Sequence, residues 1–164
     1  MDIQIYLANL NDIDDMSRLS KAKRLAYEKA QPKFWSYAGE KGDEIQKAWF
    51  KELLDNPEYL LFIAKDSNQQ CMGFVIGKLM QSPQVYNPGG LTLLIDDFCV
   101  ATDALWPSVG LQLLKQIKKY SQEKGAIQVI VVCGHHDKLK AKFLNENNLN
   151  IVSDWYLGEI DDEK

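Results

Sequence analysis

The chain has 164 residues, 46% of them hydrophobic, which suits one ordinary domain with a real core. A net charge of -4 and a pI near 5.2, inflated by the acidic tail Asp161-Asp162-Glu163, argue against a nucleic-acid binder that relies on phosphate attraction. No run approaches membrane-span length, the start MDIQIYLANLNDIDD lacks the features of a signal peptide, and Cys71, Cys99 and Cys133 support neither a disulfide framework nor a zinc site. A soluble, cytoplasmic protein without a metal is the expectation.

Ile3 to Ala8 alternates like a strand. Asn11 or Asp12 caps a predicted helix through about Lys29, with Ile13, Met16, Leu19 and Leu25 on its apolar face and Gln31-Pro32 as its stop. Past Phe34-Trp35, Asp43 caps a second helix bearing Ile45, Trp49 and Leu53, which ends at Asn56-Pro57. Tyr59 to Lys65 and Met72 to Met80 read as a hairpin around Asp66-Ser67-Asn68-Gln69-Gln70. A loop with Tyr86, Pro88 and Gly89-Gly90, readable as a mobile lip, leads into a strand from Leu91 to Val100. A helix from about Ser108 carries Val109, Leu113 and Ile117 and ends at Gly125. Ala126 to Cys133 is a continuous apolar run, as in a strand covered on both faces. A short helix from Asp137 to Glu146 and a last strand near Ile151 to Ile160 follow.

The order β-α-α-β-β-β-α-β-α-β predicts an α/β (α+β) fold, a mostly antiparallel sheet flanked by helices, with one parallel crossover between 91–100 and 126–133. Residues 1–160 form the expected single domain and 161–164 an acidic tail. The helix opening at Ser108-Val109-Gly110 sits at the C-terminal ends of the two parallel strands, and its free amides make an anion site beside Asp96 and Asp97.

That order, with the segment Ile95 to Leu114, resembles the GNAT N-acetyltransferase superfamily. Asp96-Asp97-Phe98-Cys99-Val100 supplies the fourth strand, Ala101 to Ala104 the turn, and Leu105-Trp106-Pro107-Ser108-Val109-Gly110 the loop that family members write as [Gln/Arg]-x-x-Gly-x-[Gly/Ala]. The resemblance implies acetyl-CoA as cosubstrate. Its pyrophosphate would lie on amides of the loop and helix start, at Leu105, Trp106, Ser108, Val109, Gly110 and Leu111. Its pantetheine would pair with the strand at Phe98, Cys99 and Val100 and pass between the fourth and splayed fifth strands. A strand amide there can polarise a thioester carbonyl as charge develops. Leu105 stands for the usual Gln or Arg and Ser108 for the first Gly, while Pro107 removes a donor; Ser108 can compensate by capping the helix or by a hydroxyl contact to phosphate. In the Asn-x-x-Ala…Tyr…Gly-Phe helix of the family, Asp137 stands for Asn, Lys140 for Ala and Leu144 for the Tyr often assigned as general acid.

Transfer to an amine needs a base, a stabilised oxyanion and, optionally, an acid for the thiolate. Asp96 is the base candidate, pointing to the cleft with Phe98 and Val100 while Asp97 faces the other side; both equally fit a strand leaving the core. His135, in Gly134-His135-His136 at the end of the fifth strand, can relay a proton or meet the acceptor, or serve as a polar loop residue. Tyr156 can replace the missing acid, although Trp155-Tyr156 also reads as an aromatic core pair. Cys99 and Cys133 read as small buried side chains. Phe34, Trp35 and Tyr37 fall where the family lines its acceptor pocket, and pack equally well as core. Lys115, Lys118 and Lys119 read as solvated helix surface. The expected activity is acetyl transfer to a primary amine of a small molecule or protein; the alternative is a noncatalytic acyl-CoA-binding or regulatory module. Family members are often dimers, so a homodimer is an expectation, with no interface specified by the chain.

Overall fold

Alternating burial along five strands builds one sheet with two different cores. The strands are β1 (Ile3–Leu7), β2 (Tyr59–Asp66), β3 (Cys71–Gln81), β4 (Leu91–Val100) and β5 (Ala126–Val131), in the spatial order β1-β2-β3-β4-β5. The computed structural model describes residues 2–85, 90–158 and 160. The lip residues 86–89 and the acidic tail lie outside the described residues. The first three pairings are antiparallel and β4–β5 is parallel, as the sequence reading expects of its single crossover.

Leu60, Phe62, Val75, Leu93, Ile95 and Phe98 face α4 (Leu111–Glu123) and α5 (Lys138–Glu146). Leu61, Ile63, Phe74, Ile76 and Cys99 face α1 (Ile13–Ala30) and α3 (Gly39–Leu54), with the short α2 (Pro32–Trp35) between those two helices in sequence. Gly77 is what lets α4 lie against β3. A Cβ there would fall 2.6 Å from Leu93 and 2.9 Å from Ile117, tighter than side chains tolerate. On α4, Leu113, Leu114 and Ile117 are buried while Lys115, Lys118 and Lys119 stay exposed.

The helix ends depart from the sequence reading in instructive ways. Asp12 holds the N-cap position of α1, but the capping bonds lie one turn earlier, where the Asn9 side chain accepts from the Asn11 amide and Asp12 accepts from the Asn9 amide at 2.9 Å. Lys65 on β2 pairs with the buried Asp12 at 2.6 Å and ties helix to sheet. Leu25 is exposed, and Tyr27 takes its place as the buried residue of that stretch. α3 starts at Gly39, four residues before Asp43, because Asp43 is engaged by Lys21 and Tyr37 rather than by a helix amide. Regular α4 starts at Leu111, after a 3-10 turn at Asp103–Leu105 and a π turn at Trp106–Gly110.

One irregularity positions the site. Ile76 pairs with Asp97 and the next residue, Gly77, pairs with Ile95, so Asp96 is an extra residue in β4. Strict alternation would place Asp96 with Phe98 and Asp97 opposite; the bulge removes that expectation. Ile95 and Phe98 both face α4, Asp97 bonds Lys23 on α1, and Asp96 lines a shallow pocket with Trp49, Tyr59, Ile76, Lys78 and Leu94.

β5 differs from its expected double cover. Ile127, Ile130 and Val132 are exposed, and residues 151–158 form no strand. The anticipated last strand is therefore missing among the described residues, and with no neighbour on its outer edge β5 keeps a solvent-facing side. Ile151, Val152, Trp155 and Tyr156 share that exposure.

Candidate active site

β4 and β5 pair only as far as Ile95 with Val131, and the Val132 amide donates to the Ile95 carbonyl at 2.8 Å as the last link. From Asp96 onward β4 pairs with β3 alone, so the two parallel strands separate into a mouth with one open β4 edge. Lys140 of α5 fills that mouth. Its Nζ donates to the Phe98 carbonyl of β4 at 3.3 Å and to the Val132 carbonyl after β5 at 2.9 Å. The side chain is 1% exposed, and its ammonium lies 5.6 Å from the Phe98 ring centroid and 5.9 Å from that of Trp106. Burial, then the neighbouring Lys23, push the Lys140 ammonium down to about 8, against upward pulls from Cys99, Cys133 and Asp137.

On the α4 side the mouth is walled by rings. Trp106 stacks on Phe143 at 5.2 Å and meets Phe98 edge-to-face at 4.9 Å. Gly110, the one signature glycine retained, serves this packing: a Cβ there would lie 2.7 Å from the Trp106 ring. Leu144, at the position of the family's acid, is buried in the same cluster. The indole Nε1 of Trp106 is buried without a hydrogen-bond partner among the described residues.

On the α1 side the wall is polar. Lys23 donates to Asp97 at 2.6 Å, with side chains only 19% and 14% exposed. Burial opposes the Lys23 charge, but Cys99, Asp97 and Tyr27 outweigh it and hold its pKa above the ordinary lysine value. Burial pushes the Cys99 thiol up to about 11, so it carries no charge at neutral pH, and the ion pair of Lys23 is the one with Asp97. The Gly134 amide donates to the Tyr27 hydroxyl at 3.3 Å, and the Tyr27 ring meets His136 edge-to-face at 4.4 Å. His136 is thus the histidine turned into the structure, with its Nε2 unpartnered among the described residues, whereas His135 is exposed.

Between α1, α2 and α3 lies a cleft of about 330 Å³ lined by Arg24, Trp35, Tyr37, Ile45, Gln46 and Trp49. Trp49 also lines the pocket that holds Asp96, so the two spaces adjoin at that indole. Phe34 packs on Trp35, which packs on Tyr27, linking the aromatic cluster to the mouth.

The remaining sequence candidates fall as follows. Trp106, Val109 and Gly110 are buried, Leu105 and Leu111 half-buried, and Ser108 exposed, its hydroxyl directed back to the Leu105 carbonyl at 3.4 Å. Ser108 therefore caps no helix. Phe98 and Cys99 are buried on opposite faces, and Val100 is half-buried. Residues 101–111 contain no Lys or Arg, so an anion on this turn would rest on backbone amides and the Ser108 hydroxyl. Tyr156 is 93% exposed on the segment without a strand, away from any packed site. Sequence reasoning passed over Lys23, Tyr27, Trp49 and Lys140; the one available signal was a lysine at the family's alanine position.

No family model and no curated protein matches the chain. Solved structures do. A mutant of protein BH1408 from Bacillus halodurans superposes with a TM-score of 0.84 at 13% identity, covering 96% of this chain and 99% of that one. A predicted acetyltransferase with acetyl-CoA from Clostridium acetobutylicum gives 0.73 at 16% identity, covering 97% of each chain. The chain has the GNAT N-acetyltransferase fold. The aminoglycoside N-acetyltransferase AAC(6')-Iy, in complex with a bisubstrate analogue, shares it at a TM-score of 0.74 and 12% identity, covering 97% of this chain and 98% of that one. On the GNAT fold described here, the separation of β4 from β5 and the turn before α4 form one continuous feature. The open β4 edge runs along that feature.

Proposed function

We propose that the protein is an acetyl-CoA-dependent N-acetyltransferase acting on the primary amine of a small molecule. The observation that carries this reading is the open β4 edge at 96–100, adjoining through Trp49 a cleft sized for a small amine. Acetyl-CoA supplies the activated acetyl group. The backbone of 96–100 holds the arm, and the turn at 101–110 receives the pyrophosphate. Asp96, exposed at the bulge and facing the α3 side, removes the ammonium proton of the acceptor directly or through water. Trp35, Tyr37 and Trp49 pack on the acceptor's body. Arg24 Nε and Gln46 Nε2, buried without partners among the described residues, suit a carbonyl or carboxylate on that acceptor. Isothermal titration with acetyl-CoA, followed by thiol release over an amine panel, tests the reading; absence of binding at millimolar acetyl-CoA ends it.

A second reading is a noncatalytic acyl-CoA-binding module. It is favoured by the turn without a basic residue, by Pro107, and by the buried Leu144 at the acid position. Binding without thiol release across the panel would select it.

A further inference from the structure

Lys140 is a buried cation with an unusual set of neighbours. Its ammonium has three N–H donors, and its hydrogen bonds go to two carbonyls, one from each strand flanking the mouth. Two rings flank it, and among the described residues no carboxylate forms an ion pair with it. Taking an ammonium out of water without an anion is costly, and groups held in that state cluster at functional sites. Trp106, whose ring centroid lies 5.9 Å from that ammonium, carries a second buried donor without an acceptor among the described residues, its Nε1. Donors are thus in excess where β4 and β5 part, and the missing partner is an acceptor or an anion.

We propose that Lys140 is the acid that receives the leaving sulfur of the acyl-CoA, in place of the tyrosine that this chain lacks. The assignment rests on the acyltransferase reading above. The acceptor nitrogen forms its bond to the acyl carbon as the carbon–sulfur bond breaks, and that bond's electron pair goes to sulfur. Lys140 Nζ–H donates a proton to the sulfur and becomes a neutral amine. The acceptor nitrogen loses two protons on its way from ammonium to amide, both passing by way of Asp96 to solvent, and Lys140 regains one from solvent, so one proton is released per turnover and the cycle closes without a further reactant. Lys140 is suited to this exchange because its free energy of protonation is poised: at about 8 it is charged at neutral pH and still able to give up its proton. The charged and titratable groups around it are Lys23 from α1, Cys99 from β4, Cys133 after β5 and Asp137 at the start of α5. Lys23 is committed to Asp97, which leaves Lys140 as the cation available to the sulfur.

The test follows the bound thiol rather than turnover alone. CoA and desulfo-CoA are titrated into wild type, Lys140→Met and Lys140→Arg, and the thiolate absorbance of bound CoA is followed against pH. In wild type the bound thiol should ionise at least about one pH unit below free CoA, the scale of a nearby opposite charge. Lys140→Arg should keep that depression, and Lys140→Met should abolish it. Turnover should fall roughly tenfold or more in both variants, within the usual range for losing a proton donor, and the alkaline limb near pH 8 should vanish in Lys140→Arg. Equal thiol titration in wild type and both variants, with CoA and desulfo-CoA bound alike, overturns the assignment while leaving CoA binding intact. Failure of both analogues to bind wild type overturns the acyltransferase reading and the assignment together. Circular dichroism identifies a Lys140→Met variant that fails to fold, in which case the Lys140→Arg pH profile decides.

Discussion

On the α4 side the mouth between β4 and β5 is closed by packed rings, Phe98, Trp106 and Phe143, whereas on the α1 side it is closed by the paired charges of Lys23 and Asp97 and the phenol of Tyr27. The ring wall has a single low-energy arrangement, because interdigitated aromatics forfeit contacts if they shift. The charged wall can change with protonation and with the arrival of another charge. One side therefore fixes where the strands part, and the other sets what chemistry the opening accepts. Lys140 belongs to both, since its stem comes from α5 while its electrostatics couple to Lys23.

Mutations separate the two walls, and the largest effect is expected on the rigid one. Trp106→Ala should cost about 3–5 kcal/mol of unfolding free energy, because it empties the stack on Phe143; denaturant titration measures it. Asp96→Asn should leave that midpoint unchanged, as the residue is exposed, and should lower kcat by about 100-fold, roughly 3 kcal/mol of barrier. Equal losses of stability and turnover in Asp96→Asn would erase the distinction between the walls. Lys23→Met, which strands Asp97 in a half-buried setting, should cost about 2 kcal/mol in the same denaturant titration. Gly110→Ala should cost about 1–2 kcal/mol by driving Trp106 off its stack, visible as a shifted indole emission.

The smallest effect is a pH dependence with a definite sign. Lys140 titrates near 8 when folded and near 10.5 when unfolded, so above pH 8 the unfolded chain keeps a proton that the folded chain has lost. Stability should therefore rise with pH from 8 to 9, by about 1 kcal/mol. Cys71 and Cys99, each raised from 9.0 to about 11 by burial, act in the opposite sense above pH 9 and should flatten the rise. Denaturation midpoints under reducing conditions, compared with Lys140→Met, measure this contribution, and the variant should lack the increase.

The element order was legible because strands and helices carry their periods in local sequence: the α4 face of Leu113 and Ile117 is one example, and the β2–β3 hairpin another. The last strand was misread for a physical reason. Apolar residues at 151–160 satisfy a strand's composition, but pairing needs a neighbour, and along 151–158 none is formed. Lys140 was hidden because a lysine on an amphipathic helix ordinarily points to water, and only the tertiary gap between two strands makes room for it. Tyr27 and Lys23 were invisible as site residues for the same cause: α1 meets the end of β5 across more than a hundred residues of chain. Backbone features of the site, the turn before α4 and the opening strand, were readable; the side chains that fill them were not.

The extra residue at Asp96 sets the parity of everything that follows it on β4. With the bulge, odd and even positions exchange faces between Ile95 and Phe98. Flattening the bulge with every residue kept would turn Phe98 and Val100 toward α1 and Cys99 toward α4, exchanging the aromatic wall for the charged one, whereas removing one residue there would restore strict alternation with those faces unchanged. The bulge at this point is thus a stricter constraint than the identity of its residue. Asp96 can change its side chain with the fold retained, but while the strand keeps this length the bulge cannot be given up.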